Sequence, residues 1–590
     1  MAMSIAGIEV LQCSPTSPSA PDSNYSGLFP STSVVNKGFR KSADRAAFQA
    51  DTIFDRDIEI PLRDGVKLRA DIFRPRQDEK VPAIIAWSPY GKTGTGFFSL
   101  DLTPGRAGVP KSRTSGFEKF EAPDPAEWTA KGYAICNVDA RGVFDSEGDI
   151  RWFGTSEGKD GYDTVEHIAL LPWCNGNVGM VGNSWLGISQ WFTAAENPPH
   201  LKCIAPLEGA SDIYREIAVR GGVPALPFQG LVQTKLYGRQ QQEDGVTMTL
   251  KYPTWNGFWE DKRVKMEKIN VPAYILASYS TGLHTEGSFR GYEETKGPRW
   301  LRVHSTQEWY DLYSKECNDD LQLFFDRYLK DIRNKWEDTP RVRVSILRFN
   351  KPAIENHKFP EWPIPNTQYQ TLWLRPSGEL VEPNIADSSV GICTYQSDVP
   401  AMQKGSDPEE IQFKCKFKQP CYVVGYPKAK LYVSCPNHDD LDIFVQLRKM
   451  DISGNLLENL NIHPTALGIP ADKVPNVNVL KYLGPTGIIR ASHRQLDPKL
   501  SKAHHPVLSH KTLQKVGPGE VVELQIAIWP CGIAFDAGES LILKISGHDM
   551  RLAEFPPLYG SFKSGNKGSH RIYCGEGGYQ SELVIPTVNL

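Results

Sequence analysis

The sequence predicts an α/β domain followed by an all-β domain, and three observations indicate this. Between residues 81 and 277, short and wholly apolar segments alternate with stretches long enough for helices, which is typical of a parallel sheet covered on both faces. After about residue 341, the chain consists of strand-sized segments bounded by Pro and Gly, as in a β-sandwich. At 590 residues, the chain also exceeds what one hydrophobic core usually supports.

The first 45 residues are predicted to form an N-terminal arm that is partly irregular. Residues 13–35 are rich in Ser, Pro, Thr and Asn, which bury too little apolar surface to offset the entropy lost on ordering. An antiparallel hairpin is predicted next, because residues 58–62 and 67–73 flank the turn Arg63-Asp64-Gly65 and the second segment alternates between apolar and polar side chains.

The α/β domain is predicted to span residues 46–340. Its core strands are the apolar runs at residues 81–87, 133–138, 178–181, 203–207 and 273–277. Residues 209–271 interrupt this pattern with irregular sequence rich in aromatic residues. Two interpretations of this insertion are open: a cap over the strand ends, or an ordinary packed helical segment.

Residues 341–590 are predicted to form the β-sandwich. The segments that indicate strands are residues 370–374, 410–417, 429–433, 442–447, 521–529, 540–546 and 581–585. Turn-forming residues separate these segments, and few stretches between them have a helical pattern.

Composition makes several classes of function unfavourable. With 66 basic and 69 acidic residues, the formal net charge of -3 provides no field that would attract nucleic acid. No run of 18 apolar residues predicts a membrane span, and no secretory signal is evident, so a cytoplasmic enzyme is expected. The 11 cysteines are scattered and odd in number, which indicates reduced thiols rather than a disulfide framework.

No cofactor or metal site is predicted. His504, His505 and His510 lie in a loop that contains Pro and Lys, where histidines are more often solvated than metal-binding. The acidic run at residues 439–442 precedes an apolar strand, and carboxylates in that position more often mark a solvated turn.

The sequence Gly182-Asn183-Ser184-Trp185-Leu186-Gly187 follows the apolar run at residues 178–181. A serine between small residues, where a buried strand ends and a helix begins, predicts a nucleophile elbow, because the tight turn requires residues without bulky side chains. Ser184 is therefore the candidate nucleophile.

A serine hydroxyl is a poor nucleophile until a base takes its proton, so a histidine is expected on a later strand end. His304 meets this expectation because it follows the strand at residues 300–303; His167 and His284 are weaker candidates. For the oxyanion, the donors are the backbone N–H of Trp185 and Tyr90, the latter through its phenol or its backbone.

The order of motifs along the chain resembles that of the cocaine-esterase-like CocE/NonD hydrolases, which are related to the X-Pro dipeptidyl peptidases. Beside the elbow, the motifs are Pro61-Leu62-Arg63-Asp64-Gly65, Ser88-Pro89-Tyr90-Gly91, Asp139-Ala140-Arg141-Gly142, Asp160-Gly161-Tyr162-Asp163, Pro172-Trp173-Cys174-Asn175-Gly176, His304 before Glu308-Trp309, and Asp440-Leu441-Asp442-Ile443. The resemblance runs from about residue 57 to residue 586.

The resemblance implies an α/β-hydrolase domain with an inserted helical cap, followed by a C-terminal jelly roll. It matches Ser184 to the family nucleophile, His304 to its base, and Tyr90 to the tyrosine that completes the oxyanion hole with the Trp185 amide. Trp185 stands where these enzymes usually carry Tyr.

The resemblance fails at the acid of the catalytic triad. Thr281, or Ser280 in another register, stands where the family carries Asp, and neither balances the charge of an imidazolium. Three carboxylates are candidates to replace this acid: Glu208, which ends the preceding core strand, Glu286 along the same loop, and Glu308 after His304, with Glu208 slightly favoured over Glu286. A Ser-His dyad steadied by Thr281 or Ser280 is also open.

The leading hypothesis is a serine hydrolase that cleaves a small-molecule ester, or an amide or lactone, through an acyl-enzyme on Ser184. Two alternatives keep the scaffold: an acyltransferase or non-hydrolytic biosynthetic enzyme that uses the same oxyanion hole, and a catalytically weak binding protein. No nucleic acid or membrane partner is expected, and a homo-oligomer is possible.

Overall fold

A computed structural model describes residues 3–349, 351–383, 389–405 and 407–590. Its N-terminal half is built on an 11-stranded sheet. In chain order the strands are β1 (Ser31–Val35), β2 (Thr52–Pro61), β3 (Lys67–Pro75), β4 (Val81–Ser88), β5 (Ala134–Asp139), β6 (Cys174–Asn183), β7 (Leu201–Leu207), β8 (Ala273–Ser278), β9 (Arg299–His304), β10 (Val342–Ile346) and β11 (Ile354–Phe359).

Across the sheet, the strand order is β11-β10-β9-β8-β7-β6-β4-β5-β3-β2-β1. The strands from β10 to β5 in this order pair in parallel, and the strands at both edges pair antiparallel. The carboxyl ends of the central parallel strands therefore meet at one edge of the sheet, which is where α/β sheets place their ligand sites.

The described α-helices are α1 (Pro125–Trp128), α2 (Thr155–Ala169), α3 (Trp185–Ala195), α4 (Leu226–Thr234), α5 (Gly245–Lys251), α6 (Gly257–Asp261), α7 (Thr285–Glu294), α8 (Glu308–Leu312), α9 (Lys315–Leu329) and α10 (Pro464–Leu467). Alternate residues of the central strands belong to different hydrophobic clusters. Met180 of β6 packs in the cluster that contains α2 and α3, whereas its neighbour Val181 packs in the cluster of α9. The parallel sheet is thus covered on both faces.

The insertion at residues 209–271 contains α4, α5 and α6, together with a π-helical turn at Tyr214–Ala218 and short two-residue strands. One of these strands, Gln242–Glu243, pairs with Gln12–Cys13 of the N-terminal arm. The arm is therefore partly ordered by its contact with the insertion.

The C-terminal half is all-β apart from α10 and short 3-10 turns, within the described residues. It forms a nine-stranded and a four-stranded sheet. The strands are β12 (Gln368–Leu374), β13 (Leu380–Val381), β14 (Gly391–Gln396), β15 (Glu410–Lys416), β16 (Cys421–Gly425), β17 (Lys428–Ser434), β18 (Asp442–Met450), β19 (Thr486–Arg490), β20 (Val522–Ala527), β21 (Cys531–Phe535), β22 (Ser540–Ser546), β23 (Ser569–Cys574) and β24 (Glu582–Val588), with a short pair at Asn459–Leu460 and Lys481–Tyr482.

The predicted fold class is confirmed: an α/β domain precedes an all-β domain, and the predicted hairpin is the antiparallel pair β2 and β3. The large sheet extends beyond the predicted limits 46–340 at both ends. β1 pairs with β2 inside the predicted arm, and β10 pairs with β9 after residue 340, because backbone hydrogen bonding continues at both edges of the sheet. No helix among the described residues has the length and apolar character needed to cross a bilayer.

We predict that Gly161→Ala lowers the thermal unfolding midpoint. Gly161 lies in α2 where that helix packs on α3, and a Cβ there would lie 2.0 Å from Thr193 Oγ1. Overpacking of this kind typically costs about 1–3 kcal/mol, which outweighs the higher helix propensity of Ala.

The matched control is Gly230→Ala in α4, where the added Cβ would meet only Val246 Cγ2, at 3.9 Å. This variant should keep or slightly raise the midpoint. Equal midpoints for the two variants would contradict the packing described for Gly161.

Candidate active site

Ser184 occupies the turn between β6 and α3 in a left-handed backbone conformation, with φ 57° and ψ -123°. Such a conformation is strained for a residue with a side chain, and the surroundings hold it in place. The Ser184 N–H donates to the Glu208 carbonyl at 2.8 Å. Gly182 has φ +137°, and a Cβ there would lie 2.5 Å from Leu186 Cδ2. A glycine is therefore required at position 182 by close contacts.

Two hydrogen-bond donors flank Ser184. Trp185 is the first residue of α3. Its N–H therefore makes no hydrogen bond within the helix, because the helix has no carbonyl group one turn earlier. Tyr90, which follows β4, lines the same cavity as Ser184 and lies close enough for its phenol to interact with the Ser184 side chain. Burial, with the nearby Glu121 carboxyl, raises the pKa of Tyr90 well above its usual value. The phenol therefore stays neutral and keeps its proton for donation.

Buried polar contacts fix the two segments that carry these donors. The Lys119 ammonium donates to the carbonyls of Ser88 and Gly91, at 3.2 and 2.7 Å, and so holds the loop around Tyr90. The Trp185 indole donates to Glu157 at 2.9 Å. Burial raises the pKa of Glu157 to about 7 and lowers that of Lys119 to about 8.

His304 ends β9 and is buried, and both of its ring nitrogens are engaged by groups other than Ser184. Nε2 forms a short hydrogen bond with Glu208, and Nδ1 lies 3.2 Å from Thr306 Oγ1 and 3.8 Å from Asp311 Oδ1. Burial lowers the pKa of His304, but Asp311 and Glu208 more than compensate and raise it above its usual value. The arrangement favours an imidazolium held between two carboxylates.

The loop after β8 does not bring a carboxylate to His304. The Ser278 hydroxyl donates to Glu208 at 2.8 Å and lies 2.9 Å from Thr281 Oγ1. Glu208 thus contacts His304, as the sequence favoured, although through Nε2, whereas Thr281 reaches Glu208 only through Ser278.

A cavity of about 650 Å³, partly open to solvent, contains Ser184 in its wall. The α/β domain, α4 of the insertion and the all-β half all contribute to it. The other lining residues are Tyr90, Phe98, Phe120, Glu121, Phe228, Val232, Ser280, Thr281, Gly282, Leu283, His284, Gln307, Glu308, Trp309, Asn461, Asn478, Val479, Glu554 and Phe555. Phe228 and Val232 of α4 support the interpretation of the insertion as a cap.

Three carboxyl groups line this cavity: those of Glu121, Glu308 and Glu554. Glu121 accepts from the Trp309 indole at 3.0 Å, and Glu554 accepts from the Asn478 amide at 2.9 Å. Burial raises the pKa of all three, that of Glu121 to about 8 and that of Glu308 well above its usual value. These groups bind protons far more readily than surface carboxylates do.

Glu286, the other candidate acid, lies apart from the Ser184 cavity. Its carboxylate pairs with His505 at 2.9 Å in a separate cavity between α7 and the all-β half.

His504 stacks on Tyr369 with ring centroids 3.4 Å apart. His510 Nδ1 lies 2.9 Å from His493 Nδ1, so the three histidines of this loop point to different partners.

The sequence singled out neither Glu121 nor Glu554, and it ranked His284 low. No local motif marks them, because each reaches the cavity from a segment far from Ser184 in the chain: the loop before α1, the all-β half, and the start of α7. A sequence pattern reports neighbours along the chain, whereas these residues meet only through the tertiary fold.

Two family models match the chain. The model described as X-Pro dipeptidyl-peptidase (S15 family) matches residues 64–307, which include Ser184. The model of the X-Pro dipeptidyl-peptidase C-terminal non-catalytic domain matches residues 334–584, which include most of the all-β half.

A solved structure extends the similarity to nearly the whole chain. The crystal structure of a CocE/NonD family hydrolase from Staphylococcus aureus is 31% identical, with a TM-score of 0.83, and the match covers 95% of this chain and 97% of that one. The chain belongs to the CocE/NonD hydrolase family.

Curated relatives of this CocE/NonD chain include esterases and putative Xaa-Pro dipeptidyl-peptidases by name. Cocaine esterase from a Rhodococcus species is 25% identical over 384 residues, which are 55% of this chain and 62% of that protein. A putative serine esterase from Mycobacterium bovis is 29% identical over 187 residues, which are 31% of this chain and 28% of that protein. The chain thus spans less than two thirds of the length of these relatives. Together the comparisons support a serine hydrolase.

For this CocE/NonD chain we predict that His304→Gln is destabilising, and more so at acidic than at alkaline pH. Because the folded-state pKa of His304 is raised, its ion pairs stabilise the fold fully below the unfolded pKa of about 6.5. This stabilisation is lost as pH rises through the folded pKa. Breaking a buried pair costs on the order of 3 kcal/mol.

The measurement is the thermal unfolding midpoint of the wild-type protein and of the His304→Gln variant, each at pH 6 and at pH 9. The control is His438→Gln, a partly buried histidine of the all-β half, which should shift the midpoint little at either pH. A His304→Gln deficit that is equal at both pH values would contradict the ion-pair description.

Proposed function

We propose that this protein is a serine hydrolase that cleaves a carboxylic ester through an acyl-enzyme on Ser184. The observation that carries the proposal is the left-handed turn at Ser184, which opens on a cavity and is flanked by the Tyr90 phenol and the first N–H of α3. This combination supplies a nucleophile and two donors for the oxyanion.

In the proposed reaction, the Oγ–H bond of Ser184 breaks, its proton passes to His304, the base that the family resemblance assigns, and Oγ bonds the ester carbonyl carbon while the carbonyl oxygen becomes negatively charged. The Trp185 N–H and the Tyr90 hydroxyl donate to this oxygen, and both are positioned before the substrate arrives, so little reorganisation is needed. His304 returns the proton to the departing alcohol, which leaves an acyl-enzyme that water then hydrolyses by the same proton transfers in reverse.

The cavity wall supports a small, largely apolar substrate. It combines six aromatic side chains with three carboxyl groups, and neither Lys nor Arg is among the described residues that line it. An uncharged molecule suits this wall, because the described lining offers no cation to pair with an acyl group that carries its own carboxylate. Among the curated relatives, cocaine esterase and the putative serine esterase support an ester, and two putative Xaa-Pro dipeptidyl-peptidases support an amide as the alternative.

We also propose that the enzyme is cytoplasmic and that its all-β half has the jelly-roll fold. The cytoplasmic assignment is supported by the 11 cysteines, all of which carry free thiols in the structure. The two sheets of the all-β half are consistent with a jelly roll.

In a second candidate function, the same cavity catalyses an acyl transfer or another non-hydrolytic reaction. The observation that favours it is the engagement of both His304 nitrogens by Glu208 and Thr306, which leaves Ser184 without a histidine partner. Ser184→Ala tests the non-covalent form of this candidate, because full activity of that variant on the true substrate would exclude an acyl-enzyme; acyl transfer is separated from hydrolysis by whether the product carries the acyl group on an acceptor other than water.

We predict that a fluorophosphonate labels Ser184 and that Ser184→Ala loses at least about 10⁴-fold in kcat/KM on a p-nitrophenyl ester, since no other group forms the acyl-enzyme. Mass spectrometry of the labelled peptide is the measurement. Labelling at another residue, or none under conditions where a known serine esterase reacts, would overturn the proposed function.

We predict that Tyr90→Phe lowers kcat by about 10²–10³-fold with a smaller change in KM, because the phenol bonds the oxyanion more strongly than the ground-state carbonyl. Steady-state kinetics on the same ester measure both constants. The control is Tyr432→Phe, which removes a phenol that donates to Glu523 on the surface of the all-β half and should leave both constants unchanged. A Tyr90→Phe enzyme with wild-type kcat would exclude the phenol from the oxyanion hole.

A further inference from the structure

The Arg220 cavity lies between the insertion, α7 and the all-β half, and Arg220, Glu286 and Trp529 are part of its wall. Its volume is about 960 Å³, and it is partly open to solvent. No described residue lines both this cavity and the Ser184 cavity. The Arg220 cavity is therefore a separate candidate binding site.

The Arg220 guanidinium is buried in this wall without an acidic partner among the described residues. Arg220 is 5% exposed. Its Nη2 donates to the Thr486 carbonyl at 2.5 Å, and its Cζ lies 3.4 Å from the centre of the Trp529 ring. Its Nη1 is buried and has no hydrogen-bond partner within the described chain. Burying a charge without a counter-ion is costly, so Arg220 would stabilise an anion that enters the cavity.

The other ionised side chains of the described wall are paired with one another. Burial lowers the pKa of His505, but Glu286 more than compensates and raises it above its usual value, which favours an imidazolium. His510 stays neutral, because burial lowers its pKa well below its usual value. The described wall thus has one positive charge in excess, and that charge is on Arg220. The pairs are Asp212 with Arg215, Glu216 with Arg290, Glu286 with His505, Glu293 with Lys502, and Glu294 with Arg263.

The backbone holds Arg220 in place before any ligand binds, because the turn that follows it packs against β19. The Gly221 carbonyl accepts from the Arg490 N–H at 2.7 Å. A Cβ on Gly221 would lie 1.9 Å from the carbonyl oxygen of Ile488, so the two segments are in close contact. Since the guanidinium is already positioned, little conformational entropy would be lost on binding.

The rest of the wall favours an organic anion over an inorganic one. Leu500, Val507 and Leu508 contribute apolar surface to the cavity. One positive charge in excess suits a monoanion, because a dianion would leave a buried negative charge without a partner. The planar guanidinium of Arg220 also matches the planar geometry of a carboxylate.

We propose that the Arg220 cavity is a second binding site, which takes a monoanionic carboxylate with an apolar body. The carboxylate accepts hydrogen bonds from Arg220 Nη1, and the apolar body packs against Leu500, Val507 and Leu508. No covalent bond forms or breaks. Binding at this site is independent of the reactivity of Ser184.

The test is the affinity of the full-length protein for 4-fluorobenzoate, measured by fluorine NMR at neutral pH. One molecule per chain should bind with a Kd at or below about 5 mM, and the thermal midpoint should rise with its concentration. The neutral isostere 4-fluorobenzamide should bind at least about tenfold more weakly, because only the carboxylate pairs with Arg220. Sulfate at matched ionic strength should compete weakly, because it is a dianion without an apolar body.

Two kinds of variant locate the site. Arg220→Gln removes the charge and should weaken 4-fluorobenzoate binding at least about tenfold. Arg220→Lys should weaken it about three- to fivefold, because the ammonium keeps the charge but not the planar fork. Gln525→Glu leaves Arg220 intact and adds a negative charge to a partly exposed position of the wall, so binding should weaken at least about threefold.

The matched control is Arg448→Gln. Arg448 is a buried arginine of the all-β half that donates to the Leu457 carbonyl at 3.1 Å and lines neither cavity. This variant and Ser184→Ala should both keep the wild-type affinity within about twofold, because neither changes the Arg220 cavity. Thermal midpoints without ligand verify folding. If Arg220→Gln does not fold, Gln525→Glu decides, since it leaves the buried guanidinium in place.

No binding of 4-fluorobenzoate up to about 20 mM would overturn the proposal. So would wild-type affinity in Arg220→Gln, or in Gln525→Glu where Arg220→Gln does not fold. Equal affinity for 4-fluorobenzamide, or tighter binding of sulfate, would exclude a carboxylate site. A loss of binding in Ser184→Ala would place the ligand in the Ser184 cavity instead. The proposed function is tested separately, by fluorophosphonate labelling of Ser184, so the two failures are distinguishable.

Discussion

The turn at the carboxyl end of β6 is the constraint on which the site depends. Ser184 adopts a left-handed conformation there, and its N–H is bonded to the backbone of Glu208 at the end of the adjacent strand β7. One hydrogen bond thus couples the proposed nucleophile to the residue whose carboxyl group contacts His304. The strain at Ser184 persists because tight contacts at Gly182 and the first turn of α3 leave the backbone no alternative.

Burial of carboxyl groups is the second organising property. Glu157 is hydrogen-bonded to the Trp185 indole at the start of α3, Glu208 to the His304 imidazole, and Glu121 to the Trp309 indole. In each case the carboxyl accepts from a nitrogen of an aromatic ring, which satisfies part of its hydrogen-bonding capacity. Desolvation keeps the affinity of Glu157 and Glu121 for protons high, and Glu121 is the one of these two that lines the cavity around Ser184.

Much of the fold was predictable from the sequence because its signals are local. Apolar runs mark β4 to β8, and the small residues around Ser184 mark the turn into α3. The edge strands β1 and β10 were harder to predict, because pairing at a sheet edge depends on a neighbour that is distant in the chain. The same reason explains the site: Glu208 contacts His304 as favoured, but the orientation of the imidazole, and the presence of Glu121 and Glu554 beside Ser184, follow from packing between segments that no periodicity connects.

The wall of the cavity comes from the α/β domain, from α4 and, through Asn478, Glu554 and Phe555, from the all-β half. During synthesis, Tyr90, Ser184 and Trp185 leave the ribosome long before residues 554 and 555 do. The cavity wall around Ser184 is therefore completed only by the part of the chain that is synthesised last. A chain that ended before residue 554 would contain Ser184, Tyr90 and Trp185 but would lack part of the wall that encloses them.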